Sequence, residues 1–131
     1  MVKLPADVKE ALVNQQVASL GTADKNGVPN VCLMGFVKAQ DDETLVMADV
    51  FWKKTLANLQ ENPKATITAY LPPKAYQIKG SMELVSEGPL MNEINEWVAS
   101  KMANLKPKGA ALLHVEEIYS LSPPNAGEKI T

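Results

Sequence analysis

Apolar and polar positions alternate along most of the chain, and the period of alternation changes several times. In residues 5–16, Val8, Ala11, Leu12 and Gln15 recur at helical spacing, and Pro5 suits a first turn, so a helix is predicted there. The stretch "VASLGTA" (17–23) then reads as a strand. "DKNG" follows as a tight turn, because Asn26-Gly27 tolerates positive φ. "VPNVCLMGFVKA" (28–39) returns as a second strand, so residues 17–38 are predicted to form a β-hairpin. "AQDDE" makes another turn, and "TLVMADV" (44–50) is a third strand.

Residues 52–61 carry Leu56 and Leu59 in a short helical pattern that Asn62-Pro63 stops. "KATITAYL" (64–71) alternates Ala65, Ile67 and Ala69 against Thr66, Thr68 and Tyr70, as a fourth strand does, and Pro72-Pro73 breaks it. "AYQIKGSMELVSE" (75–87) is a long fifth strand with Tyr76, Ile78, Gly80, Met82 and Leu84 on one face. Gly80 marks a bend or bulge within it. The longest helix spans residues 89–104, with Leu90, Ile94, Trp97, Val98 and Met102 as its apolar stripe. "LKPKG" ends it, "AALLHVEEIYSLS" (110–122) is a sixth strand, and the tail "PPNAGEKIT" is polar, loose or laid on a neighbour. Six strands in a run of hairpins with small helices between them predict a mainly β protein with helices: a closed or nearly closed antiparallel barrel, which hides its edges.

The 131 residues suit a single domain, 1–131, without repeats or linkers. With 46% hydrophobic and 21% charged residues the chain is an ordinary globular one, and a net charge of −2 gives no reason to expect nucleic acid as partner. Cys32 is the single cysteine, so no internal disulfide forms. The start "MVKLPADVKE" lacks the apolar core of a signal peptide, and no stretch approaches about 20 apolar residues, so a soluble, cytoplasmic protein without a membrane partner is expected. His114 is the only histidine and lies in the alternating run of the sixth strand. A metal site or a histidine-based triad is therefore not expected.

Chemistry concentrates in "DVFWKKTLANLQENP". A helix starting near Phe51 or Trp52 would place its unpaired N–H groups beside Lys53, Lys54 and the Thr55 hydroxyl, a donor set adequate for a phosphomonoester. Neither a Gly-x-x-x-x-Gly-Lys loop nor a Gly-x-Gly-x-x-Gly signature occurs. From these residues alone a solvated helix start remains the other reading.

The order of elements bears on that choice. A hairpin carrying "NGVPNV", a strand ending in "D-x-x-x-K-K-T-x-x-N-L-x-x-N-P", a further strand, and then one with "Y-Q-I-K-G" resembles the pyridoxamine 5′-phosphate oxidase-like family of FMN-binding split barrels, over nearly the whole chain. The resemblance implies a six-stranded antiparallel split β-barrel and a homodimer with FMN at the subunit interface. It implies that Lys54 and Thr55 hold the FMN phosphate, with Lys53 as helper. It also implies that Val31, Cys32, Leu33 and Met34 run along the isoalloxazine ring, and that Ala48, Asp49 and Val50 border it. Gln77 is carried over from a strand that approaches the site in some members. Trp52 either covers the cofactor or packs between subunits. Cys32 reads more simply as a buried strand residue, and Asp49 also as the cap of the short helix.

The chain departs from true pyridoxamine phosphate oxidases in lacking their arginine-rich C-terminal signature. All 13 of its basic residues are lysines, so no guanidinium can grip a substrate phosphate. The expected function is that of an FMN-dependent oxidoreductase with an unnamed substrate. A non-catalytic FMN carrier or electron-transfer protein, a barrel for a deazaflavin or haem, and a structural dimer without cofactor are the alternatives.

Overall fold

A computed structural model describes residues 2–131. Seven strands form one antiparallel sheet in the order β2-β1-β5-β6-β7-β4-β3, where β1 is Ala18–Ala23, β2 Pro29–Met34, β3 Val37–Ala39, β4 Thr44–Asp49, β5 Lys64–Leu71, β6 Lys74–Val85 and β7 Gly109–Ser120. The two edge strands, β2 and β3, are consecutive in the sequence and are joined only by Gly35 and Phe36. A link that short spans no more than about 11 Å, so the sheet must curl until its edges nearly meet. The result is a curled half-barrel, consistent with the split barrel that the resemblance implies, with one correction: there are seven strands rather than six. The predicted second strand, 28–39, breaks at Gly35-Phe36. Its first half pairs with β1, from Ala18↔Met34 to Ala23↔Pro29, and its second half pairs with β4, from Val37↔Met47 to Ala39↔Leu45. A single straight strand cannot serve both edges.

β4 shows how the layers are built. All six of its residues are buried. Leu45 and Met47 face the barrel interior with Leu20, Ile67, Ile78 and Leu113. Val46 and Ala48 face outward, where α3 (Pro89–Lys101) lays Met91, Ile94 and Val98 over them. Of the predicted helical stripe, Ile94 and Val98 carry this contact, Leu90 and Trp97 pack at its margin, and Met102 lies past the helix end. The helix stops at Lys101, short of the predicted 104.

The first helix, α1 (Ala6–Asn14), buries Val8, Ala11 and Leu12 against the barrel. It is shorter than predicted because Gln15 turns its side chain to β5, donating to Thr68 O at 3.2 Å and accepting from Tyr70 N–H at 3.1 Å. The Tyr76 hydroxyl on β6 ties back to α1 by donating to Asp7 Oδ2 at 2.7 Å. Burial, and secondarily the Asp7 carboxylate, push that phenol up to about 12.

The bend expected at Gly80 is a bulge. The register passes from Lys79↔Glu117 to Gly80↔Val115, which leaves Glu116 as an extra residue on β7. The tail is not loose. Ser120 N–H donates to Glu128 O at 2.9 Å and Ile130 N–H to Ile118 O at 2.7 Å, so residues 128–131 occupy the side of β7 that β4 leaves free beyond His114. Among the described residues no helix is long and apolar enough to cross a membrane.

Candidate functional site

The short helix α2 (Lys54–Glu61) leaves β4 by way of residues 50–53. It begins two residues later than predicted because Asp49 captures the chain first: its Oδ1 accepts from Trp52 N–H at 2.9 Å and closes a turn. Asp49 therefore caps this turn and not the helix. The N-cap position belongs to Lys53, whose side chain makes no capping bond, and the first turn of α2 holds no acidic residue. The first N–H groups of a helix have no partner within it, and here the ladder opens with Ala57 N–H to Lys53 O at 3.0 Å. Lysine is among the poor choices for an N-cap, so this helix start is locally unsatisfied.

Polar side chains from the barrel converge on the same point. Thr55 is buried, and its hydroxyl accepts from Asn30 Nδ2 of β2 at 3.2 Å. Thr22 of β1 accepts from Asn58 Nδ2 at 3.1 Å and from Asn30 Nδ2 at 3.5 Å. The network holds α2 against the β1–β2 edge and leaves the Thr55 hydroxyl proton free to donate to a ligand.

A cavity of about 560 Å³ opens in front of this helix start. Its polar end is made by Asn30, Lys53, Lys54 and Thr55. Along β2 it is lined by Val31, Cys32, Leu33 and Met34, and across the barrel seam by Gly35 and Phe36. Ala48, Val50, Phe51 and Trp52 form the β4 side, and Met102 and Leu105 close it beyond α3. The size falls in the range of about 300–1,000 Å³ usual for ligand pockets, and the lining has their usual character, mostly apolar with a few convergent polar groups.

The structure thus brings together every site residue named from the sequence except Asp49 and Gln77. The Asp49 carboxylate turns into the protein, beneath the 49–52 turn. Gln77 lies on β6 between Thr68 and Tyr119 and does not line this cavity. Cys32 is half-buried against the barrel core and also lines the cavity. Trp52 borders the cavity and is also buried in the core of its own chain.

Asn30, Gly35, Phe36, Phe51, Met102 and Leu105 line the cavity without being among the residues expected from the sequence. Asn30 could have been found, because β alternation puts it on the same inward side as Cys32 and Met34. The residues beyond α3 reach the site only through the fold. His114 is remote from the cavity: its Nε2 meets Glu83 Oε1 at 3.0 Å on the outer face of β6 and β7.

Residues 4–122 match the family model described as pyridoxamine 5′-phosphate oxidase. Among curated proteins the chain is 40% identical over 134 residues to Uncharacterized protein MJ0282 of Methanocaldococcus jannaschii, covering 99% of this chain and 89% of that one. Among solved structures it is similar to HupZ of Group A Streptococcus, with a TM-score of 0.82, 25% identity and coverage of 95% of this chain and 99% of that chain. It is also similar to an FMN-binding protein from Syntrophomonas wolfei subsp. wolfei, with a TM-score of 0.79, 19% identity and coverage of 90% and 88%. The fold is shared further with HutZ, the heme storage protein of Vibrio cholerae, at 18% identity, and with an F420 reductase at 17%, both with a TM-score of 0.67. Likenesses this low in identity concern the fold alone. The family match spans nearly the entire chain, and this protein belongs to the pyridoxamine 5′-phosphate oxidase family.

Proposed function

We propose that the protein is an FMN-binding flavoprotein, a homodimer that holds the flavin phosphate at the start of α2 and works as an oxidoreductase. One observation carries the reading: the cavity is apolar along β2, the seam and the segment after α3, and is basic and uncapped at its α2 end. FMN has the same two-part character, a flat, largely apolar ring system and a dianionic phosphate. Lys54 and Thr55, with Lys53 beside them, are the phosphate donors, together with the free N–H groups of α2. Val31, Cys32, Leu33 and Met34 supply the ring's apolar wall.

Bound FMN supplies the hydride or electron transfer. This chain contributes binding and orientation. Among the described residues the only titratable side chains lining the cavity are Cys32, Lys53 and Lys54, so no carboxylate or histidine of this chain is placed as an acid or base. No second basic cluster lines the cavity either, so a phosphorylated substrate finds no grip from this chain once the flavin phosphate is seated. Haem ligation finds no support at His114, which faces away from the cavity.

The purified protein should absorb like a flavin in the blue and near ultraviolet, or take up added FMN when stripped. A colourless protein that binds FMN no better than it binds a deazaflavin would sink the FMN assignment. Anaerobic reduction by a nicotinamide cofactor followed by air separates the roles. Repeated turnover supports an enzyme, and a single sluggish exchange supports a carrier.

The dimer has a physical motive on the same face. Val31 is 67%, Leu33 72% and Phe51 76% exposed around the cavity mouth, an apolar rim with no cover from its own chain. A second copy related by a twofold axis would bury each of them twice. Replacing Phe51 by Glu is expected to weaken the dimer by on the order of a hundredfold, since burying two Phe side chains contributes about 3 kcal/mol or more. Sedimentation velocity reads this directly. A wild-type monomer that binds FMN normally would rule out an interface site.

A further inference from the structure

A lysine far along the sequence secures the turn that presents the phosphate donors. Asp49 is only 3% exposed, and a carboxylate taken that far out of water needs a partner. One oxygen accepts from Trp52 N–H at 2.9 Å. The nearby cation is Lys108, in the segment between α3 and β7, with Nζ 3.7 Å from Asp49 Oδ1.

Lys108 does more than balance a charge. Its Nζ donates to Trp52 O at 2.5 Å, and its own N–H donates to Asp49 O at 2.7 Å. The turn of residues 49–52 is thus held at both ends by one residue. In a trans peptide the C=O and the following N–H point in opposite directions. Fixing the Trp52 carbonyl toward Lys108 therefore fixes the Lys53 N–H away from it, at the head of α2. Among the described residues no hydrogen bond uses that N–H. Met102 and Leu105, in the same connecting segment, line the cavity, whereas Lys108 does not, so its effect reaches a ligand only through the turn.

We propose that Lys108 is a positioning residue for the phosphate end of the cavity, setting the Trp52–Lys53 peptide so that the head of α2 receives the phosphate of the bound cofactor. The inference rests on the FMN reading above and deepens it.

The test compares FMN with riboflavin, which lacks only the phosphate, on wild type, Lys108→Met, Lys108→Arg and Asp49→Asn, with the apoprotein melting temperature measured for each. Wild type is expected to prefer FMN. Lys108→Met keeps the apolar stem and should lose about tenfold in FMN affinity while riboflavin affinity stays within about twofold. Lys108→Arg should restore most of the preference. Asp49→Asn can still accept from Trp52 N–H but no longer holds the lysine by charge, so it should show a smaller loss of the same kind even if Lys108→Met folds poorly.

A Lys108→Met or Asp49→Asn protein that melts earlier but keeps the wild-type preference for FMN over riboflavin would overturn the inference, since a merely structural lysine behaves that way. A wild type that binds neither ligand would instead overturn the FMN reading.

Discussion

Replacing Lys54 with Ala should cost about ten- to a hundredfold in FMN affinity while leaving riboflavin affinity nearly unchanged. The magnitude follows from a hydrogen bond to a charged group, worth about 1.5–3 kcal/mol, and from the tenfold change in affinity that each ~1.4 kcal/mol produces. The selectivity follows from position. Lys54 is the first residue of α2, exposed, and makes no ion pair among the described residues, whereas Lys64 is held by Glu116 at 2.9 Å. Among the described residues no carboxylate pairs with it, and its removal leaves no buried partner stranded. A surface truncation of this kind changes stability by no more than about 0.5 kcal/mol, so the apoprotein should melt as wild type does. The FMN preference should also shrink as salt is raised, because Lys53 and Lys54 are exposed. Fluorescence titration with the two ligands at two ionic strengths measures both effects. Equal losses for FMN and riboflavin would show that Lys54 acts on the fold and not on a phosphate.

How much of this site the sequence reveals depends on the range of the interactions that make it. The β1–β2 hairpin is local. Gly27 takes φ 83°, and the Asp24 carboxylate accepts from Asn26 N–H at 2.8 Å and Val28 N–H at 3.0 Å, so the turn chemistry alone predicts it. Lys53, Lys54 and Thr55 are also readable, since three donors beside a helix start carry their own physical meaning. The break at Gly35-Phe36 is not readable, because the residues on both sides are apolar and the cause is pairing to β1 on one side and to β4 on the other. The start of α2 is hidden for a related reason: Asp49 looks like a helix cap, but its acceptor goes to Trp52 N–H before the helix begins. Lys108 lies 56 residues from the carbonyl it holds, and only the pairing of Asp49 with Gly109 in the β4–β7 ladder brings it there. Local pattern thus finds the donors, and the fold alone shows what aims them.

The other large effect expected is on stability, at Gly80. A Cβ built there would stand 2.1 Å from His114 O and 3.0 Å from its carbonyl carbon, with Leu113 Cδ1 at 3.1 Å. The leucine can rotate aside, but the His114 carbonyl cannot, because it belongs to β7, whose residues pair with β6 on one side and with β4 on the other. The close approach is a product of the bulge: with Glu116 as the extra residue, β7 bends in toward β6 where β6 has no side chain. Gly80→Ala must therefore pry apart the middle of the sheet. Overpacking in a core usually costs about 1–3 kcal/mol, and a clash against fixed backbone belongs at or above the top of that range. For a domain of this size that lowers the melting temperature by roughly 10 °C or more. Gly35→Ala is the matched control. Its Cβ would meet nothing nearer than Gln16 O at 3.9 Å, and its φ is not positive, so it should melt within a few degrees of wild type, on the order of 1 kcal/mol or less. If both variants melt alike, the bulge does not require a residue without a side chain. If only Gly80→Ala falls, the glycine is the condition on which β6 and β7 can pair through the bulge, and so on which the sheet can curl far enough to bring β2 beside β4 and form the cavity between them.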